Sequence, residues 1–183
     1  MPRIKATRYM LMRTLIQDQG PEFVRRFKEK LHPKERERLD TSMPVSWIDL
    51  KDIPDQGDLI TVAAEMFFPG QPDGVQKVAA MLAKAGLNGI YKVFLMIPSV
   101  EFVVQRTAKL WHTYNDTGEA TIENADGKSG VVVVRQFPDM PPLQRKYLEG
   151  FIIGVLELTR ARNISIQRDE SDPQAWKWHV RWA

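Results

Sequence analysis

The sequence predicts an α+β fold, with N-terminal helices packed on a C-terminal antiparallel sheet of about four strands that has an inserted helix. Three observations lead to this prediction. Apolar residues recur every three to four positions over much of residues 3–114, which is typical of amphipathic helices. After Gly118 the apolar repeat changes to two, which is typical of strands. Residues 175–182 then alternate strictly between tryptophan or valine and a basic side chain.

Amphipathic helices account for the first half of the chain. The spacing of Ile4, Met10 or Leu11, and Leu15 predicts a helix over about residues 3–18, before Gly20 and Pro21. The other elements predicted in this half are helices at 21–31, 33–39, 59–67, 75–86 and 100–114, and a capped turn at 46–49. The apolar run at residues 90–97 fits a buried strand and a buried helix equally well.

The second half reads as hairpin, helix, hairpin. The predicted elements are strands at 119–124 and 131–137, a helix that starts near Pro142 and carries an apolar face to Leu158, and strands at 163–168 and 175–182. Gly150 and Gly154 lie one turn apart on this helix, where they let its backbone approach a neighbouring element closely. We expect that neighbour to be the sheet.

The tryptophan-rich segment predicts an inner strand. Trp176, Trp178, Val180 and Trp182 share one face, while Lys177, His179 and Arg181 share the other. Each buried indole removes about 150–250 Å² from water, so the segment belongs to the body of the fold. The basic face Lys177, His179 and Arg181 is our candidate surface for a protein partner.

Composition narrows the class of protein. A chain of 183 residues is long enough for one domain, in which we distinguish a helical part at 1–70 and a helix-plus-sheet core at 75–183. The chain has no cysteine, which excludes disulfides, zinc knuckles and thiol catalysis. No apolar run is long enough to span a bilayer and no signal-peptide pattern follows Met1, so we expect a cytoplasmic protein.

Basic residues are concentrated at the N-terminus, where residues 1–38 carry a net charge of +6. Such a surface could contact nucleic acid or membrane headgroups. The alternative is a set of solvated helix faces, which is favoured by ion pairs at i,i+4 spacing such as Glu22 with Arg26. We therefore expect no nucleic-acid partner.

A search for catalytic or metal-binding motifs yields weak candidates. Gly127-Lys-Ser129 has the ending of a phosphate-binding loop but lacks its first glycine and its following helix, so we interpret it as a hairpin turn. His32, His112 and His179 are too dispersed for a metal site. Asp169, Glu170 and Asp172 are interpreted as a solvated turn. We therefore expect no catalytic residue, no metal and no enzymatic activity.

Aromatic residues on the predicted helices suggest a ligand pocket between helices and sheet. Its candidate lining residues are Trp111, Tyr114, Tyr147 and Phe151. The alternative is that these side chains fill the core.

The sequence between residues 75 and 183 also resembles a known group of domains. The segment Trp111–Gly118, the following strand pair, the helix bearing Gly150 and Gly154, and the closing strand ending at Trp182 resemble the four-vinyl-reductase-type domains. They resemble even more an uncharacterised paralogous family best known from myxobacteria. Those families are similar to the fold of ligand-binding domains in NO signalling and Golgi transport, which includes haem-NO-binding domains and TRAPP subunits. The resemblance implies helices packed over an antiparallel sheet.

This chain departs from the functional motifs of those families. It lacks the cysteine that can be acylated in TRAPP-type subunits. Haem-NO-binding domains need an axial histidine followed by Tyr-x-Ser-x-Arg, and the nearest string, Tyr9-x-Leu11-x-Arg13, lacks the serine and precedes every histidine.

From these departures we predict no cofactor and a non-enzymatic cytoplasmic module that binds a small apolar ligand or a protein partner. One alternative is a haem-dependent gas sensor that uses His112, and another is a small hydrolase or reductase. A homodimer is expected, because residues 3–31 have apolar stripes to spare.

Overall fold

The computed structural model describes residues 1–90, 100–159 and 161–183, with the backbone alone at 88–90 and 101–102. The elements follow the order β1 (Arg3–Lys5), α1 (Thr7–Gln17), α2 (Pro21–Lys30), α3 (Pro33–Thr41), β2 (Trp47–Asp49), α4 (Leu59–Phe67), α5 (Gly74–Ile90), α6 (Val100–Tyr114), β3 (Glu119–Glu123), β4 (Ser129–Arg135), α7 (Pro142–Glu157), β5 (Ser165–Asp169) and β6 (Ala175–Arg181). The predicted α+β fold is confirmed.

The main sheet is antiparallel with the strand order β3-β4-β6-β5. The two hairpins therefore meet through β4 and β6, where Val132 is opposite Trp178 and Gly130 is opposite Val180. The tryptophan strand lies inside the sheet, as predicted, because β6 is bonded on both sides. Trp178 has no exposed surface.

Two predicted helical segments are strands instead. Residues 3–5 form β1 and residues 47–49 form β2, and the two pair with Ile4 opposite Ile48. The helix predicted over about residues 3–18 is therefore present only from Thr7 to Gln17, and the prediction of a capped turn at 46–49 was wrong. Each strand has only three residues, too few for an alternation to be recognised, and the pairing joins segments more than 40 residues apart.

The long helices α5 and α7 pack against each other through glycine. A Cβ atom at Gly150 would collide with the backbone carbonyl of Gln76, and one at Gly154 would lie 2.6 Å from the carbonyl oxygen of Ala80. The predicted close approach is present, but the neighbour is helix α5 and not the sheet. The helix predicted over residues 75–86 is longer than expected, since α5 continues past Gly86 to Ile90.

Local capping explains where the N-terminal helices begin. The side chain of His32 accepts a hydrogen bond from the backbone N–H of Lys34 at the start of α3. The Asp58 carboxylate accepts from Ile60 and Thr61 at the start of α4, at 2.9 and 3.0 Å. Backbone N–H groups in the first turn of a helix have no partner within the helix. These side chains bond them, which fixes where α3 and α4 begin.

Most apolar side chains of residues 3–31 are buried within the fold. The buried members are Ile4, Ala6, Tyr9, Met12, Ile16, Phe27 and Leu31. The apolar surface that suggested a homodimer is therefore largely covered, and dimerisation stays a prediction.

Among the described residues, no helix combines the length and apolar character needed to cross a membrane. The ambiguous run at 90–97 lies outside the described residues, apart from Ile90 at the end of α5.

Candidate functional site

A cavity of about 130 Å³ lies between the inner face of the main sheet and helices α1, α5, α6 and α7, and it is partly open to solvent. Its volume is close to that of a cavity of roughly 150 Å³ that holds one benzene molecule in another protein. Apolar side chains form most of its wall. The sheet contributes Ala120, Ile122, Val132, Val134, Trp178 and Val180, and the helices contribute Leu11, Leu82, Val103, Val104, Leu110, Ile152, Val155 and Leu156.

The four predicted pocket residues, Trp111, Tyr114, Tyr147 and Phe151, all line this cavity. The ring of Phe151 packs edge-on against Tyr114, with centroids 5.4 Å apart, and lies 6.4 Å from Tyr147 in a stacked arrangement. The indole N–H of Trp111 donates to the carbonyl oxygens of Thr117 and Gly118 at 2.9 and 3.0 Å. These rings leave a space between helices and sheet and do not fill it.

Arg8, on the first turn of α1, is the most unusual residue of the cavity wall. Its side chain is among the lining residues, and the residue is only 8% exposed. Its Nε–H has no hydrogen-bond partner, and the guanidinium forms no ion pair with any described residue. Its guanidinium group carries a positive charge. A buried, unpaired cation is destabilising, since it loses its hydration without gaining a counter-charge.

Other polar atoms on the same wall also lack partners. The indole N–H of Trp178 and the side-chain oxygen of Asn115 are buried and make no hydrogen bond. Gln144, which is only 5% exposed, adds an amide group to the same wall. Burial raises the pKa of the Tyr147 phenol, while the charge of Arg8 acts in the opposite direction. The cavity thus combines an apolar wall with unused hydrogen-bonding groups.

The charge of the lining is positive. Among its described residues there are two cations, Arg8 and Lys5, and no carboxylate. The Lys5 ammonium is already engaged, because it donates to the carbonyl oxygen of Val45 at 3.0 Å and lies 3.9 Å from the Trp47 ring centre. Arg8 therefore provides the unsatisfied charge.

A second group of buried polar side chains lies next to Arg8 and is fully bonded. The Tyr9 hydroxyl contacts both carboxylate oxygens of Glu35 at 2.9 Å, and Arg38 pairs with the same carboxylate at 2.7 Å. Glu35 also accepts the backbone N–H of Leu59 at 3.0 Å, which satisfies the first residue of α4. Burial, reinforced by Glu35, raises the pKa of Tyr9 to about 12. This cluster ties α1, α3 and α4 together.

None of the three histidines lies on the described cavity wall. His32 caps α3, His112 is exposed and contacts Glu119 at 3.0 Å, and His179 lies on the outer sheet face 3.5 Å from Asp169. No cluster of three side chains suited to a metal occurs among the described residues. The Gly127-Lys-Ser129 segment is a turn closed by Asp126, which accepts the N–H groups of Lys128 and Ser129.

The basic face of β6 is partly neutralised within the sheet. Lys177 pairs with Asp172 at 2.8 Å, and His179 contacts Asp169. Hydrogen bonds from Ser171, together with His179, lower the pKa of Asp169 to about 2. Arg181 is exposed at the end of this face. A role in partner binding stays a prediction.

No protein-family model matches this sequence, and no curated protein sequence matches it significantly. Solved structures share the fold at low sequence identity. The Fe(II) unliganded H-NOX protein of K. algicida is 9% identical with a TM-score of 0.62 over 98% of this chain and 96% of that one. An oxygen-binding H-NOX domain related to soluble guanylate cyclases is 11% identical with a TM-score of 0.56, over 96% and 91% of the two chains.

A further H-NOX structure, from work on heme distortion, has a TM-score of 0.55 at 10% identity and covers 97% of this chain and 94% of that one. These neighbours contradict the prediction of no cofactor, since they are described with Fe(II) and heme.

The described lining of the cavity does not fit haem. It has no imidazole, thiolate or thioether, and a raised pKa disfavours the Tyr147 phenolate as an iron ligand. The fold of this chain is that of the H-NOX domains.

Proposed function

We propose that this chain is a non-enzymatic sensor domain that binds a small, mostly apolar ligand in the cavity between sheet and helices. The observation that carries the proposal is the cavity, which a tightly packed interior would not leave between Trp111, Phe151 and Trp178. The fold likeness to H-NOX domains, one of which is described as oxygen-binding, supports a sensor over a protein-interaction module.

The make-up of the wall favours binding over catalysis. The described lining contains no histidine, carboxylate, cysteine or serine, so it lacks the side chains that most often act as general base or activated nucleophile. This supports a sensor over a small hydrolase or reductase. The cytoplasmic location, the protein partner and the homodimer expected from the sequence stay predictions.

Binding of 1-hexanol tests the proposal, because its six-carbon body matches the volume of the cavity. In a two-dimensional NMR titration of isotope-labelled protein, the indole N–H signals of Trp111 and Trp178 should shift in a saturable way. Val104→Phe fills the cavity and should abolish the shifts. Val45→Phe makes the same change on an exposed loop and should leave them intact. The proposal would be contradicted if hexanol caused no shifts in the wild type, or if the shifts persisted in Val104→Phe.

A haem-dependent gas sensor is the second candidate, and the likeness to structures described with Fe(II) and heme favours it. Titration with haem tests it. A stoichiometric Soret band that Val104→Phe removes and Val45→Phe retains would support haem in this cavity. His112→Ala should not affect such a band, because His112 lies outside the lining. The absence of a band in the wild type would exclude this candidate.

A further inference from the structure

We propose that the ligand of the cavity is a small apolar carboxylate whose carboxylate group pairs with Arg8. This inference rests on the proposed function, since it assigns a chemical class to the ligand of the same cavity. It starts from the location of Arg8, which lies on the cavity wall and is 8% exposed. Its Nε–H has no hydrogen-bond partner, and its only charge contact among the described residues is with the Tyr9 ring, 5.5 Å away.

The charge balance of the cavity favours an anion. The described lining carries two cations and no carboxylate, and Lys5 is engaged by Val45 and Trp47. Nearby acids are occupied elsewhere, since Glu35 pairs with Arg38 and Asp116 pairs with Arg3. A ligand anion would supply the counter-charge that the protein does not provide.

Arginine also selects the kind of anion. Its planar guanidinium presents N–H donors in a fork that matches the two oxygens of a carboxylate. The Trp178 indole N–H, also unpaired on this wall, is a further donor for ligand oxygen. Phosphate esters share the charge but bring a larger headgroup, and a volume of about 130 Å³ leaves little room for an apolar body beside it.

The apolar wall and the cavity volume indicate the size of the ligand's apolar part. The cavity volume is close to that which holds one benzene ring, so the body should contain about six carbons. Hexanoate, with a flexible chain of five carbons beside its carboxylate, and phenylacetate, with a benzyl group of seven, lie on either side of this size. The aromatic contacts of Phe151 with Tyr114 and Tyr147 are compatible with either body.

The decisive measurement compares hexanoate with 1-hexanol, which has the same number of carbons and no charge. A charge-assisted hydrogen bond to Arg8 should make hexanoate bind at least about tenfold more tightly to the wild-type protein. Acetate, which keeps the carboxylate and loses four methylenes, should bind at least about a hundredfold more weakly than hexanoate, because each methylene contributes about fourfold. A comparison of phenylacetate with hexanoate shows whether the cavity prefers a ring or a chain.

Two variants test the role of Arg8. Arg8→Met keeps the length of the side chain and removes its charge, so hexanoate should lose its preference while hexanol still binds. Arg8→Lys keeps the charge without the fork and should retain part of the preference. Equal binding of hexanoate and hexanol to the wild type, or a preference that survives in Arg8→Met, would overturn the inference. If hexanol also failed to bind the wild type, the proposed function would fail as well, so the two failures are distinguishable.

Discussion

Arg8 and Tyr9 are consecutive buried residues of α1, yet their surroundings are opposite. The Tyr9 hydroxyl meets the Glu35 carboxylate, which is also bonded to Arg38 and to the start of α4. Arg8 meets an apolar cavity and no counter-charge within the described chain. Buried polar groups are normally satisfied inside a protein. The satisfied cluster therefore indicates a structural role, while the unsatisfied group needs an explanation, which the proposed ligand would supply. Mutations should therefore affect stability in opposite directions at the two places.

The largest effect is expected for Glu35→Ala. Removal of this fully buried carboxylate leaves the Tyr9 hydroxyl, the Arg38 guanidinium and the Leu59 N–H without their partner. The free energy of unfolding should fall by about 3–5 kcal/mol, measured by chemical denaturation. Glu35→Gln retains an acceptor and should lose less. A loss below about 1 kcal/mol for Glu35→Ala would show that the cluster is not structural.

Arg8→Met should change the free energy of unfolding in the opposite direction. The substitution replaces an unpaired buried cation by an apolar side chain of similar length, so we expect the ligand-free protein to gain about 1–3 kcal/mol in stability. Thermal and denaturant unfolding without added ligand would measure this gain. A destabilisation as large as that of Glu35→Ala would mean that Arg8 has a structural partner, and the comparison between the two residues would fail.

Tyr9→Phe sharpens the comparison within the bonded cluster. It removes one hydrogen-bond donor and keeps the ring, so the loss at neutral pH should be about 1 kcal/mol. Because folding raises the pKa of Tyr9 to about 12 from an ordinary value of 10.0, the fold favours the protonated phenol. Its contribution is fully present below pH 10 and is lost as the pH rises towards 12. Unfolding curves over this range should decline less steeply for Tyr9→Phe than for the wild type.

Arg25→Ala provides the smallest expected effect. Arg25 pairs with Glu22 and Glu29 on the exposed face of α2, at 2.6 and 2.5 Å. Solvent and salt screen such pairs, so the denaturation midpoint should not change measurably. A change comparable with that of Tyr9→Phe would indicate that this face is covered in solution, for example by a second copy of the chain.

The sequence predicted the elements whose apolar period is long enough to be recognised. The stripe on α7 and the alternation on β6 each extend over seven residues or more, and both elements are present. Strands β1 and β2 were not predicted, because three residues are too few to show an alternation of apolar and polar side chains. Gly86 lies inside α5 and not at its end, in a close contact where a Cβ atom would be 3.0 Å from the Leu11 side chain.

The candidate site was predictable in its aromatic half. Helical spacing brought Trp111 and Tyr114, and Tyr147 and Phe151, to faces that now line the cavity. Arg8 was missed because a charged residue in a basic N-terminal helix was expected in solvent. A signal was present: Arg8, Leu11 and Leu15 have the i, i+3, i+7 spacing of one helix face, so a charge occupies an apolar position.

The strand order β3-β4-β6-β5 has a consequence for how the protein is assembled during synthesis. Strand β5 is made before β6 but has no neighbour until β6 enters between it and β4. The first hairpin can form as soon as it is made, while its β4 edge stays open to other chains for as long as about 40 further residues are being added. The cavity gains its Trp178 wall only in that last step, so ligand binding can begin only after the sheet is complete.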